Sequence, residues 1–165
     1  MWDRVVVDSM AFARDEGELR GSVAVADLLR LRDALFDQSG EIAYSLMGAV
    51  NKDGIGSLQL GIASQLVMTC QRCLGPVNFS LMSNRNFELV PEALPLGDPA
   101  EEAGDVERIR ADAKLDVIAF VEDEAILCLP MVAGHLPGEC STPTMADGES
   151  GKKSPFLSLA VLKRR

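Results

Sequence analysis

Two cysteines two residues apart, Cys70-Gln71-Arg72-Cys73, lie between two stretches of alternating apolar and polar residues, and Leu74-Gly75-Pro76 follows at once. Two thiolates on so tight a turn can grip one tetrahedral Zn2+, which accepts sulfur at about 2.3 Å. Such a turn supplies half a site. The residues suited to the other half are His135 and Cys140, in the segment Gly134-His135-Leu136-Pro137-Gly138-Glu139-Cys140. Their H-x4-C spacing fits a zinc half-site, and His135 is the only histidine of the chain. Together the four make a Cys3His set. Two other readings stay open. One is free thiols beside an ordinary histidine at the rim of a sheet. The other is dithiol redox chemistry by Cys70 and Cys73. Redox motifs of this spacing put the first cysteine at a helix N-terminus, which lowers its pKa, whereas here Gly75-Pro76 and a strand pattern follow. Cys128, set among Ile126, Leu127 and Leu129, reads as a core residue.

Familiar enzyme constellations are absent from the sequence. There is no G-x-S-x-G, no G-x-x-x-x-G-K-[ST] loop and no G-x-G-x-x-G after a strand, so the expectation is a protein that is not an enzyme.

The elements that must position the cysteines come from hydrophobic periodicity. Ile42, Tyr44 and Leu46 alternate with Glu41, Ala43 and Ser45. Leu58, Leu60, Ile62, Leu66 and Met68 alternate with polar or small partners, as do Val77, Phe79, Leu81 and Phe87. Three period-two runs joined at Asn51-Lys52-Asp53-Gly54 and at the cysteine turn predict an antiparallel meander with one wet face. Leu19 to Val25 reads as a further short strand and Val106 to Arg110 as a returning one. Leu28, Leu31, Leu35 and Phe36 follow Asp27 at helical spacing, with Asp27 as N-cap. A second helix runs from Leu115 to Leu129, capped by Asp116 and stopped by Pro130, with Glu122-Asp123-Glu124 on its solvated side. The fold class is α+β: an antiparallel β meander or partly closed sheet with helices packed on one face. Residues 1–140 form one such domain, with a mobile acidic loop near 91–105, and 141–165 form a flexible linker and a basic end.

The chain has 165 residues, enough to bury a core without disulfides. No apolar run reaches the ~18 residues of a membrane span, and the N-terminus lacks a signal-peptide layout. The expected location is cytoplasmic, where a C-x-x-C reads as metal or redox chemistry rather than a staple. Charge is unevenly spread. Residues 91–150 carry 14 acidic and 3 basic groups, a net −11, whereas 151–165 carry 5 basic and no acidic groups. An acidic body repels phosphate, which excludes nucleic-acid binding over the whole surface. Lys152, Lys153, Lys163, Arg164 and Arg165 are the groups suited to phosphate or to an acidic partner. The apolar run Phe156-Leu157-Ser158-Leu159-Ala160-Val161-Leu162 beside them suits docking into a groove, contact with RNA, or closure of the domain's own core.

Several of these pieces, in order, resemble the YceD family. They are the Cys70-Gln71-Arg72-Cys73-Leu74 turn, the acidic helix Asp116 to Leu129 with Pro130, His135 and Cys140, and the end Pro155 to Lys163. The resemblance covers roughly residue 15 to the C-terminus. It implies a non-enzymatic role in ribosome biogenesis, promoting accumulation of the large-subunit (23S) ribosomal RNA. The implied partners are 23S rRNA and/or large-subunit ribosomal proteins, with no membrane and no small-molecule substrate. It leaves zinc binding by Cys70, Cys73, His135 and Cys140 open. A zinc-stabilised protein-binding adaptor and a thiol oxidoreductase are the alternatives.

Overall fold

In the computed structural model the described residues are 5–52, 54–96 and 106–140. Their strands are β1 (Val6–Val7), β2 (Glu18–Ala24), β3 (Leu35–Asp37), β4 (Glu41–Val50), β5 (Gly56–Thr69), β6 (Pro76–Val90), β7 (Val106–Arg110) and β8 (Leu115–Asp116). The helices are α1 (Ser9–Arg14), α2 (Leu29–Arg32) and α3 (Val117–Cys128).

The three long strands β4, β5 and β6 form the meander that the alternation predicts, and β2 extends it on one side. Register puts Leu46 opposite Leu60 and Leu58 opposite Phe87, so the apolar sets share one face. All four of these residues are buried, as are Ile42, Ile62, Leu66, Leu81 and Leu89. Each such side chain contributes about 1.5–3 kcal/mol relative to exposure. The opposite face carries Ser45, Gln59, Gln65, Ser80, Asn84 and Asn86, and stays open to solvent. The first turn is held by Asn51, whose carbonyl accepts from Gly54 N at 3.0 Å and whose Oδ1 accepts from Ile55 N at 2.9 Å. Gly54 takes a positive φ of 78° there, which glycine adopts at little cost.

The helices lie on the apolar face of this open sheet. α1 is capped by Asp8, which accepts from Ala11 N at 2.9 Å, and its backbone lies against β4 at Gly48. A Cβ on Gly48 would stand 2.4 Å from the Phe12 carbonyl oxygen, so only glycine lets the two backbones approach. α3 is capped by Asp116, as its sequence predicts, and buries Val117, Val121 and Ala125.

Two expectations need correction, and a third gains an orientation. The helix expected to run from Leu28 through Phe36 is only one turn, Leu29–Arg32, and the Asp27 side chain does not cap it. Leu35 leaves it to pair with Met68, because β5 outruns β4 and its far half offers free backbone groups to β3. The strand expected at Val106 to Arg110 is present as β7; it pairs with β6 in parallel, an orientation that requires a long crossover rather than a tight turn. Glu122 and Glu124 are not solvated; they are 8% and 2% exposed. Glu122 accepts from Arg30 N at 2.7 Å, Leu31 N at 3.2 Å, Arg30 Nε at 3.0 Å and a guanidinium NH2 at 2.9 Å. Glu124 accepts from Ser83 Oγ at 2.6 Å and Cys128 Sγ at 3.2 Å, and pairs with Arg85 Nε at 3.2 Å. Cys128 is accordingly half-buried at the core margin, with a carboxylate beside it.

Candidate metal centre

Cys70 directly follows β5 and is fully buried. Between it and β6 the chain makes one tight turn, closed by Leu74 N to Cys70 O and Cys70 N to Gly75 O, both at 2.9 Å. Leu74 adopts a positive φ of 59° to complete it. The turn brings the Cys73 sulfur back over the strand end. Residues past α3 then return to the same place. Gln71 N donates to Ala133 O at 3.0 Å, and the Arg72 guanidinium donates to the carbonyls of His135 and Leu136. These contacts seat His135 and Cys140 against the turn, with Gly138 at a φ of 90° turning the chain between them.

The result brings together all four residues singled out from the sequence. Cys70, Cys73, His135 and Cys140 present ligand atoms that lie within 4.8 Å of one another. Cys70 Sγ is 3.7 Å from Cys140 Sγ, Cys73 Sγ is 3.4 Å from His135 Nδ1, and Cys140 Sγ is 3.7 Å from the same nitrogen. A tetrahedron with metal–sulfur bonds of about 2.3 Å and a metal–nitrogen bond of about 2.0 Å has sulfur–sulfur edges of about 3.8 Å and sulfur–nitrogen edges of about 3.5 Å. These three spacings match such edges and the remaining pairs lie within 4.8 Å, so the four side chains could hold a metal ion.

The histidine is also oriented for the task. Its Nε2 lies 2.9 Å from the Pro76 carbonyl oxygen. A carbonyl only accepts, so Nε2 carries the proton and Nδ1 turns a lone pair to the three sulfurs. Metal-bound histidines are held in this way by an outer hydrogen bond. Neither Pro76 nor Arg72 was legible as part of the site, because one acts through its backbone and the other only supports the loop.

The electrostatics are those of a cluster short of positive charge. Backbone N–H groups of Cys73 and Arg72, with that of His135, aim at the Cys70 sulfur and lower its pKa from 9.0 to about 5. Burial, then the neighbouring thiols of Cys70 and Cys73, pushes Cys140 up to about 11. One thiolate forms readily at neutral pH and a second is resisted. A divalent cation at the centre removes that resistance, since thiolates are its ligands. With all four side chains as ligands a metal would keep no open position, so the chemistry it would supply is a cross-link between the end of β5, the turn and the end of the loop.

Lys152, Lys153, Lys163, Arg164 and Arg165 lie outside the described residues. No helix among the described residues is long and apolar enough to cross a membrane.

Comparison with known proteins adds a family to this geometry. A family model described as "Large ribosomal RNA subunit accumulation protein YceD" matches residues 58–163, which takes in the two long strands flanking the turn, α3 and all four candidate ligands. A protein of that name from Haemophilus influenzae is 24% identical over 168 residues, covering 98% of this chain and 96% of the relative. No solved structure matches.

Proposed function

This chain belongs to the YceD family of large ribosomal RNA subunit accumulation proteins, and from that premise we propose that it promotes accumulation of 23S rRNA in the cytoplasm. It does so as a non-enzymatic binding factor for that RNA and/or large-subunit ribosomal proteins. In this reading residues 1–140 are the folded body and 141–165 an arm bearing the phosphate contacts Lys152, Lys153, Lys163, Arg164 and Arg165. The observation that carries it is the family match, which spans the metal centre and most of the arm together. Zinc held by Cys70, Cys73, His135 and Cys140 is a structural part of the factor. It ties Cys140, from which the arm departs, to the end of β5.

The test is capture of RNA and proteins by the full chain from lysate at moderate salt. Enrichment of 23S rRNA or large-subunit proteins over small-subunit material supports the assignment, and equal recovery of both subunits' material refutes it.

The depressed pKa of Cys70 favours one second reading, a thiol oxidoreductase. Against it, Cys70 is fully buried at a strand end, where a disulfide substrate cannot reach the sulfur. Turnover of a disulfide substrate that is lost in Cys73→Ser would establish that reading; absence of turnover removes it.

A further inference from the structure

The sulfurs of the candidate metal centre differ in access and in freedom to move. Cys70 is fully buried, whereas Cys73 and Cys140 are partly exposed. Cys70 and Cys140, 70 positions apart in the chain, bring their Sγ atoms to 3.7 Å. A disulfide has a length of about 2.05 Å, so this pair must close by roughly 1.7 Å to bond. Cys70 is held at the strand end by its N–H to Gly75 O and its carbonyl to Leu74 N. Cys140 ends a loop whose residues 136–139 are all exposed, so the approach falls to Cys140. Cys73 is placed differently. It shares the hydrogen-bonded turn with Cys70, and its sulfur faces His135 Nδ1 at 3.4 Å. Drawing Cys73 onto Cys70 deforms that turn; drawing Cys140 onto Cys70 moves only the loop end.

We propose that Cys140 is a site of oxidation by peroxide and Cys70 its resolving thiolate, so that oxidant exchanges the zinc cross-link for a Cys70–Cys140 disulfide. This rests on the reading above that zinc fills the centre. Zinc ligation keeps the sulfurs as thiolates, the form that attacks peroxide. The Cys140 thiolate attacks one oxygen of hydrogen peroxide. A sulfur–oxygen bond forms, the oxygen–oxygen bond breaks, and hydroxide leaves; the sulfur is oxidised to the sulfenic acid and the peroxide is reduced. The Cys70 thiolate then attacks that sulfur. The disulfide forms, the sulfur–oxygen bond breaks, and a second hydroxide leaves. Two thiolates and one peroxide thus give one disulfide and two hydroxides, which take protons from water. Cys73 and His135 are left as half a site, so the metal departs as Zn2+. The burial that keeps an external disulfide from Cys70 does not hinder this step, because the sulfur it attacks is already in contact. The loop end stays tied to the end of β5, so a dithiol reductant and zinc restore the starting centre. Cys128 stands apart from this chemistry. Its thiol donates to the Glu124 carboxylate at 3.2 Å, and burial together with that carboxylate raises its pKa, which keeps its thiolate scarce.

The test is titration of the zinc-loaded full chain with hydrogen peroxide. Released metal is read with a chromogenic chelator, and thiols and disulfides are mapped by mass spectrometry after alkylation. About one zinc should leave per disulfide formed. The linked peptides should be those of Cys70 and Cys140, with Cys73 and Cys128 recovered as free thiols. Dithiothreitol followed by zinc should restore the loaded chain, and Cys128→Ser should respond as the wild type does. Zinc retained under about a tenfold excess of peroxide overturns the proposal. So does release with Cys70–Cys73 as the main product, or with Cys140 over-oxidised to the sulfinic acid and no disulfide formed. A chain that takes up no zinc before peroxide is added refutes the metal centre itself, and the oxidation site with it. A chain that binds about one zinc and keeps it under peroxide overturns the oxidation site alone.

Discussion

His135 donates from Nε2 to the Pro76 carbonyl at 2.9 Å, linking the loop after α3 to the first residue of β6 and turning Nδ1 to three sulfurs. A histidine placed only by packing needs no such orientation. With zinc bound, His135→Ala should lower metal affinity and His135→Gln should restore little of it, because the amide lacks the imidazole lone pair. The measurement is competition with a chromogenic chelator. Retained affinity in His135→Ala would remove the residue from the shell.

Chelation should act locally before it acts globally. The body buries its core through β4–β6 and α3 independently of the four ligands. Removal of metal should therefore speed hydrogen exchange in residues 131–140 and around Gln71, and leave α1 and β4 protected. Global unfolding on chelation would show instead that the sheet depends on the metal.

Glu122 predicts both a mutational hierarchy and an acid limb. Burial pushes its carboxyl up, but hydrogen bonds from the Arg30 side chain and from the Arg30 and Leu31 backbone outweigh this and hold it below the ordinary 4.5. A carboxyl depressed in the folded state stabilises fully above its unfolded pKa, and that stability is lost as pH falls through the folded value. Urea midpoints should therefore drop below about pH 4.5, and Glu122→Gln should flatten the drop. Glu122→Ala should cost about 3 kcal/mol, because it also strips two backbone donors of α2. Arg30→Ala should cost less, since Arg30 is half-exposed and those donors still serve the carboxylate.

Gly48→Ala should destabilise by about 2–3 kcal/mol, since the new Cβ meets α1 backbone rather than a side chain that can move aside. Gly61→Ala should cost less, because the nearest atom there is the rotatable Ser45 hydroxyl. Equal unfolding midpoints for the two variants would show that α1 does not press on β4.

The contrast between what could and could not be read from the chain follows from the range of the interactions. The β4–β6 meander was legible because alternation is local and one face is wet. The four candidate ligands were legible because cysteine and histidine have few other uses in such turns. Glu122 and Glu124 were misread as solvated because their partners, Arg30, Leu31, Ser83 and Arg85, stand 39 to 92 positions away. The helix after Asp27 was overextended because the pull on Leu35 comes from Met68, across the sheet. The parallel pairing of β7 carries no local signature at all.

Removing residues 152–165 should flatten the salt dependence of RNA binding by up to about four logarithmic units per decade, if all five basic groups meet phosphate. An unchanged slope would move the contacts to the folded body.

The most direct measurement is the ratio of 23S to 16S rRNA in cells lacking this protein and then supplied with it. Loss should lower the ratio, the wild-type chain should restore it, and Cys70→Ser, Cys73→Ser should restore it poorly. A ratio unchanged by the loss would contradict a role in large-subunit rRNA accumulation.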